Sequence, residues 1–315
     1  MSYLALDYGG TFIKYGILDD DAVISESGKV PAILDNVDQF VETTGKIYEQ
    51  FKGKVEGVAI SLPGIINSET GYARTAGAYG KILAGKNICE LLAPVIDVPV
   101  AVENDGKAAI LAEMWKGALV GVKDGAACII GSGLGGGILM DGKLRKGSNF
   151  ASGEISILMT VAGSYAMHDF AACKASMSTF LTMVAEAKGM SPADFEISGF
   201  MGGSDDGRKK IGGIEVFKWI EEGDEATIGA YKKWMNELIT VLFNLKITLD
   251  PQKIVIGGGV SRNPVFIRDL KAEWEKPMAM VGAAGFPGCE LDVCKFSSDA
   301  NLIGAVYNWI LNNKK

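Results

Sequence analysis

The sequence predicts an α/β protein built from two related halves. Three observations predict it. First, apolar runs at 3–7 and 12–18 are joined through Asp7, Gly9, Gly10 and Thr11, and an acidic turn (Asp19, Asp20, Asp21) leads to a third run at 22–29. Second, the same order of strand, glycine turn with a hydroxyl, strand, acidic turn and strand returns at 126–130, 131–137, 138–141, 142–143 and 144–146. Third, the 315 residues exceed what one core usually holds, and short β-branched runs alternate with helical periods. A unit that recurs this way implies two halves facing each other across a cleft, each presenting a glycine hairpin to phosphate.

In the first hairpin, glycines let backbone N–H groups approach an anion and adopt positive φ. Thr11 and Lys14 add donors, and Asp7 suits a hydrated Mg²⁺, a hard cation that prefers oxygen. The stretch reads equally as a plain Gly–Gly turn with an aspartate at a strand end. Residues 36–51 carry Val37, Phe40, Val41, Ile47, Tyr48 and Phe51 near helical spacing. Residues 55–61 read as a strand ending in the turn signal Leu62, Pro63, Gly64. A turn at 68–71, a short helix at 88–92 and a strand at 99–103 follow. Glu103, Asn104, Asp105 and Gly106 close that strand and open a helix at 107–115, with Ala108, Leu111, Ala112 and Trp115 on one face. Asn104 and Asp105 therefore stand at the carboxyl end of a strand, where open α/β sheets bind ligands. Asp105 also reads as a helix N-cap and nothing more.

The second half predicts a helix at 170–187, another opened by Ser191 and Pro192, and a surface loop at 202–207. Its strongest helix is 224–249, striped by Ile228, Tyr231, Met235, Leu238, Leu242, Leu245 and Leu249. A strand at 253–256 feeds Gly257, Gly258 and Gly259. That glycine run either lets a flat ligand lie on backbone or is only a flexible joint. Pro264 opens a helix, 291–296 is a strand, and 299–311 is the last helix, with Ala300, Gly304 and Ala305 permitting close packing.

The hydrophobic share of 48% and charged share of 22% are those of a globular chain. A net charge of −7 and a pI near 5.0 argue against nucleic-acid or anionic-membrane binding. Five scattered cysteines form no CxxC pair, which suggests free thiols in a reducing compartment. No signal-like segment and no membrane-length apolar run is present, so a cytoplasmic protein is expected.

Nine stretches, at 7–14, 62–66, 102–105, 111–113, 131–137, 141–145, 153–155, 254–259 and 301–305, together resemble the ROK family of sugar kinases, in the actin/hexokinase/Hsp70 superfamily. They occur in the family's order and span residues 3–306. The resemblance implies two actin/ribonuclease-H-like α/β domains with an interdomain cleft. The first is 1–119, completed by the final helix at 298–315, and the second is 120–297. It implies ATP and Mg²⁺, with Asp7, Gly9, Gly10, Thr11 and Lys14 as the first phosphate loop and Asp7 reaching the metal through water. Gly131, Ser132 and Gly133 form the second loop, and Gly257, Gly258 and Gly259 lie under the adenosine. Asn104, Asp105 and Glu154 face the sugar, with Gly64, Gly77 and His168 beside it, and Asp105 is the catalytic base. A homodimer is implied as well.

Two departures narrow the expectation. Most members place a histidine three positions after the glutamate, and a cysteine cluster that holds zinc with it. Here that position is Ile157, the chain's one histidine is His168, and Cys173 is alone in the region. One Cys and one His cannot complete a tetrahedral site, so no structural zinc is expected. This pattern, with residues 75–78 and 165–168, resembles the β-glucoside kinase branch, which phosphorylates the 6-hydroxyl of cellobiose and related glucosides. A glucokinase, fructokinase or N-acetylmannosamine kinase is the near alternative. A ROK repressor is not expected, because its helix-turn-helix would precede a strand that here starts at Tyr3. A non-catalytic sugar binder is opposed by Asp7, Asp105, Glu154 and both glycine loops.

Overall fold

A computed structural model describes residues 1–197 and 209–314. The loop expected at 202–207 lies outside the described residues. Strands β1 (Ser2–Tyr8), β2 (Phe12–Asp19) and β3 (Ile24–Pro31) form an antiparallel meander, with Asp7 opposite Lys14. Helix α1 (Val37–Glu49) starts where the Asn36 side chain accepts the Gln39 N–H at 3.0 Å. Strand β4 (Gly57–Leu62) runs parallel to β1. Three short strands, β5 (Ile66–Asn67), β6 (Tyr72–Ala73) and β7 (Lys86–Asn87), make a small sheet around α2 (Gly80–Leu83), and α3 (Ile88–Leu92) follows. Strand β8 (Val100–Asn104) runs parallel to β4 and passes without a linker into α4 (Asp105–Lys116).

The second sheet starts with β9 (Gly125–Ile130), β10 (Leu134–Met140) and β11 (Lys143–Leu144). Helices α5 (Ala172–Ala175), α6 (Met177–Lys188), α7 (Gly213–Glu221) and α8 (Glu225–Leu249) come next. Strand β12 (Lys253–Gly257), α9 (Pro264–Ala283), β13 (Glu290–Val293) and α10 (Ala300–Asn313) complete the chain. The sheet orders are β3-β2-β1-β4-β8 and β11-β10-β9-β12-β13. Both are a meander extended by parallel strands, so the repeat read from the sequence is a repeat of topology.

Two compact units result, Met1–Gly121 with Gly137–Gly153 and Ser298–Lys315, and Val122–Gly136 with Glu154–Ser297. The expected boundary put 137–153 in the second. They group with the first because Gly137 packs on Ile110 of α4, so closely that a Cβ would lie 2.4 Å from its Cγ2. The first core gathers Leu4, Leu6, Phe40, Tyr48, Ile60 and Val102. The second is aromatic, with Phe180, Phe217, Tyr231, Trp234 and Phe266 in mutual contact. Helix α10 returns to the first unit: the Trp309 indole N–H donates to the Pro99 carbonyl at 2.8 Å, and Gly304 lies against Ala108 of α4.

Three expectations needed revision. Residues 134–137 belong to β10 rather than to a loop, and Gly136 and Gly137 are there for close packing, since a Cβ on Gly136 would lie 2.9 Å from Ile155. The helix expected at 170–187 breaks at Ser176, whose hydroxyl caps α6 by accepting the Thr179 N–H at 3.3 Å. Ser191 and Pro192 open only a single 3₁₀ turn, Pro192–Asp194. Helix α7 went unread; its signal was the cluster Ile214, Val216, Phe217 and Ile220 behind Gly212 and Gly213.

Candidate active site

In the first unit, the β8–α4 corner sets two side chains by local chemistry. Asn104 is the N-cap: its Oδ1 accepts the Lys107 N–H at 3.0 Å. Asp105 is therefore relieved of capping, which removes the cap-only reading. The Asn104 amide Nδ2 donates to the Gly64 carbonyl at 2.9 Å and to Asp105 Oδ1 at 2.9 Å. The Gly106 N–H also donates to Asp105 Oδ1, at 2.8 Å. One carboxylate oxygen of Asp105 is thus pinned twice, and among the described residues no hydrogen bond engages Oδ2. Burial raises the Asp105 pKa above the ordinary aspartate value, and the Gly106 and Asn104 bonds and the Lys107 charge draw it partly back. A carboxyl moved toward neutrality with one oxygen open is the chemistry of a proton acceptor.

Asp7, at the end of β1, repeats the arrangement. Its Oδ1 accepts from Ser61 Oγ at 3.1 Å and from Asn301 Nδ2 at 3.0 Å. Burial raises its pKa; the Asn301 and Ser61 bonds lower it, the Asp105 charge raises it and Lys14 lowers it. The β1–β2 turn is tied to its surroundings by the Tyr79 hydroxyl, which donates to the Gly9 carbonyl at 2.8 Å. Gly64 (φ +113°) and Gly77 (φ +49°) occupy left-handed backbone, and a Cβ on Gly64 would strike the Thr75 carbonyl at 2.3 Å. Asp7, Gly9, Gly10, Gly64, Gly77, Asn104 and Asp105 are brought into one region of this unit by these contacts. Thr11 and Lys14 stand exposed beside them.

The glycine hairpins hold a correction. Gly9, Gly10, Gly131 and Gly133 do not adopt positive φ. In each loop the first glycine closes the turn instead: Gly9 N–H donates to the Phe12 carbonyl at 3.0 Å, and Gly131 N–H to the Gly133 carbonyl at 3.0 Å. No bond among the described residues takes the N–H of Gly10, Thr11, Ser132 or Gly133, so these four donors stand open.

In the second unit, a cavity of about 430 Å³ is lined by Gly131, Ser132, Phe217, Gly259 and Asn263 among others. Gly258 (φ +89°) runs so close to β9 that a Cβ would lie 2.0 Å from the Ile130 carbonyl oxygen, and a Cβ on Gly257 would meet Ile129 at 2.5 Å. These glycines keep the strand end flat and tight beside the cavity, which is mostly apolar and suits a planar base. Glu154 precedes a 3₁₀ turn (Ile155–Ile157) and is half-buried, while Ile157 is 63% exposed. His168 is exposed, its Nε2 3.3 Å from Asp169 Oδ2. Among the described residues no three His, Cys, Asp or Glu side chains are grouped to hold a metal ion. Ser61, Tyr79, Asn301 and Phe217 join the site only in three dimensions; Asn301 stood out in sequence as a polar residue in the first turn of the last helix.

Two sheets of matching topology, two glycine hairpins and a pinned aspartate at a strand end belong to a carbohydrate kinase of the actin-like ATPase fold. Residues 3–311 match the sequence model of the ROK family, and the chain belongs to that family. It is 28% identical over 318 residues to a β-glucoside kinase of Listeria monocytogenes, covering 98% of both chains. Among solved structures, a ROK family protein of Streptococcus pneumoniae in complex with sucrose is 25% identical with a TM-score of 0.84, covering 100% of this chain and 99% of that one. A ROK glucokinase of Streptomyces griseus in complex with glucose and AMPPNP shares the fold, with 22% identity and a TM-score of 0.79 over 97% of this chain and 98% of that one.

Proposed function

We propose that the chain transfers the γ-phosphoryl group of ATP to the 6-hydroxyl of a β-glucoside such as cellobiose. The observation that carries the chemistry is Asp105, with Oδ1 held by Asn104 and Gly106 and Oδ2 open. Oδ2 accepts the hydroxyl proton as the oxygen bonds to phosphorus, and Asn104 and Glu154 orient the sugar. The free N–H groups of Gly10, Thr11, Ser132 and Gly133 meet the phosphates, and the cavity beside Gly257, Gly258 and Gly259 takes the adenosine. Asp7 fits a magnesium ion held through water: its Oδ1 is fixed by Ser61 and Asn301, and its second oxygen has no hydrogen bond among the described residues. When bound, that ion neutralises phosphate charge.

The β-glucoside preference is supported by the Listeria relative and by Ile157, an exposed apolar side chain one turn beyond Glu154. It leaves space where a histidine would close on the anomeric side. The same reading includes a cytoplasmic homodimer with no structural zinc. The test is a coupled ADP-release assay with cellobiose, glucose, fructose, mannose and N-acetylmannosamine. Cellobiose is expected to give the highest kcat/KM; far better turnover of glucose or N-acetylmannosamine would sink the preference.

A further inference from the structure

Glu103 immediately precedes the Asn104–Asp105 corner and is fully buried. Its Oε1 accepts the Asn104 N–H at 2.8 Å. Its Oε2 is buried without a well-formed hydrogen bond, and so is the hydroxyl of Ser68, itself 5% exposed. Burial raises the Glu103 pKa, and the groups that lower it are the Asn104 N–H, Lys146, the Ser68 hydroxyl and Lys107, which puts Ser68 among its neighbours. A serine hydroxyl hydrogen rotates to suit its acceptor, so a small movement completes the bond. Ser68 is in turn tied to the last helix, because Asn312 Nδ2 donates to its carbonyl at 3.4 Å. Asn308 of the same helix donates to the Val102 carbonyl at 3.3 Å, one residue before Glu103.

A buried carboxyl with an incompletely bonded oxygen costs stability, and an apolar side chain of similar size would cost less. Its position gives it something to do. The Asn104 side chain makes three bonds, to Gly64, Asp105 and Lys107, so any tilt of the Asn104 peptide moves all three. We propose that Glu103 is a positioning residue for the catalytic base: with Ser68 near one oxygen, it holds the Asn104 peptide with the other and so sets where Asp105 Oδ2 stands. Helix α10 is the outer brace of this chain of contacts.

The inference rests on Asp105 being the base, so the experiment includes D105N beside E103A, E103Q and S68A. The readouts are kcat, the KM for ATP, the sugar Kd and Tm. E103A is expected to lose about 10- to 100-fold in kcat, with the ATP KM and sugar Kd within about twofold of wild type, the size seen when a supporting contact is removed. E103Q, which keeps an oxygen for the Asn104 N–H, recovers most of that loss, and S68A loses kcat severalfold. A folded E103A that turns over within twofold of wild type overturns the proposal. If E103A does not fold, S68A decides: a kcat loss at unchanged ATP KM supports the proposal and an unchanged kcat overturns it. An active D105N removes the base assignment and this inference with it; an inactive D105N beside an unimpaired E103A removes the positioning role alone.

Discussion

Asn301 donates its side-chain amide to Asp7 Oδ1 at 3.0 Å across a separation of 294 residues. With Ser61 it holds one oxygen of a buried carboxylate and leaves the other without a hydrogen bond among the described residues. Replacing Asn301 with Ala removes one of two bonds to a charged group, an interaction worth about 1.5–3 kcal/mol. N301A is expected to lower kcat/KM for ATP by about 10- to 100-fold, as steady-state assays at fixed sugar would show.

D105N keeps the oxygen that accepts from Asn104 and Gly106 and removes the basicity of the other. Sugar binding, measured by calorimetry, should change by less than about threefold, while kcat falls by about 10²–10⁴. Retained turnover would remove Asp105 as the base.

The pH dependence has a definite sign. As the proposed base Asp105 works deprotonated, and burial raises its pKa. The acid limb of kcat/KM should therefore lie above the ordinary aspartate range. A raised folded-state pKa means that the folded protein binds more protons than the unfolded one between the two values. Stability from this group is full below the unfolded pKa and is lost as pH rises through the folded one. D105N should accordingly have a higher Tm than wild type at pH 8, with the gap closing as pH falls, in calorimetric scans.

Gly258 cannot take a side chain. Its φ is +89° and a Cβ would lie 2.0 Å from the Ile130 carbonyl oxygen. G258A must move β12 away from β9 beside the cavity, at a cost of about 1–3 kcal/mol or more. The expected result is a lower Tm together with loss of the Tm increase expected when ADP is added to the wild type.

Gly304 is the close-contact point of α10 and α4, where a Cβ would lie 1.6 Å from the Ala108 carbonyl oxygen. G304V is expected to destabilise the first unit by about 3 kcal/mol or more. Chemical denaturation would measure it; a wild-type midpoint would refute it.

Much of this molecule was legible because it depends on neighbours in sequence. The hairpins, the β8–α4 corner and the long α8 stripe are local patterns of alternation, turn residues and helical spacing. Helix α7 escaped because nine residues carry little periodic signal, and Gly136 and Gly137 were misread because strand glycines and loop glycines look alike in a list of letters. The sequence by itself determined the repeated α/β units, the strand-end aspartates and the family. The tertiary structure alone decided which oxygen of Asp7 is held, because it is gripped from Ser61 and Asn301, and where Asn104, which with Gly106 pins Asp105 locally, is anchored on Gly64. Those partners are separated by tens to hundreds of residues, and hydrogen bonds form only where the packed chain brings donor and acceptor within about 3 Å.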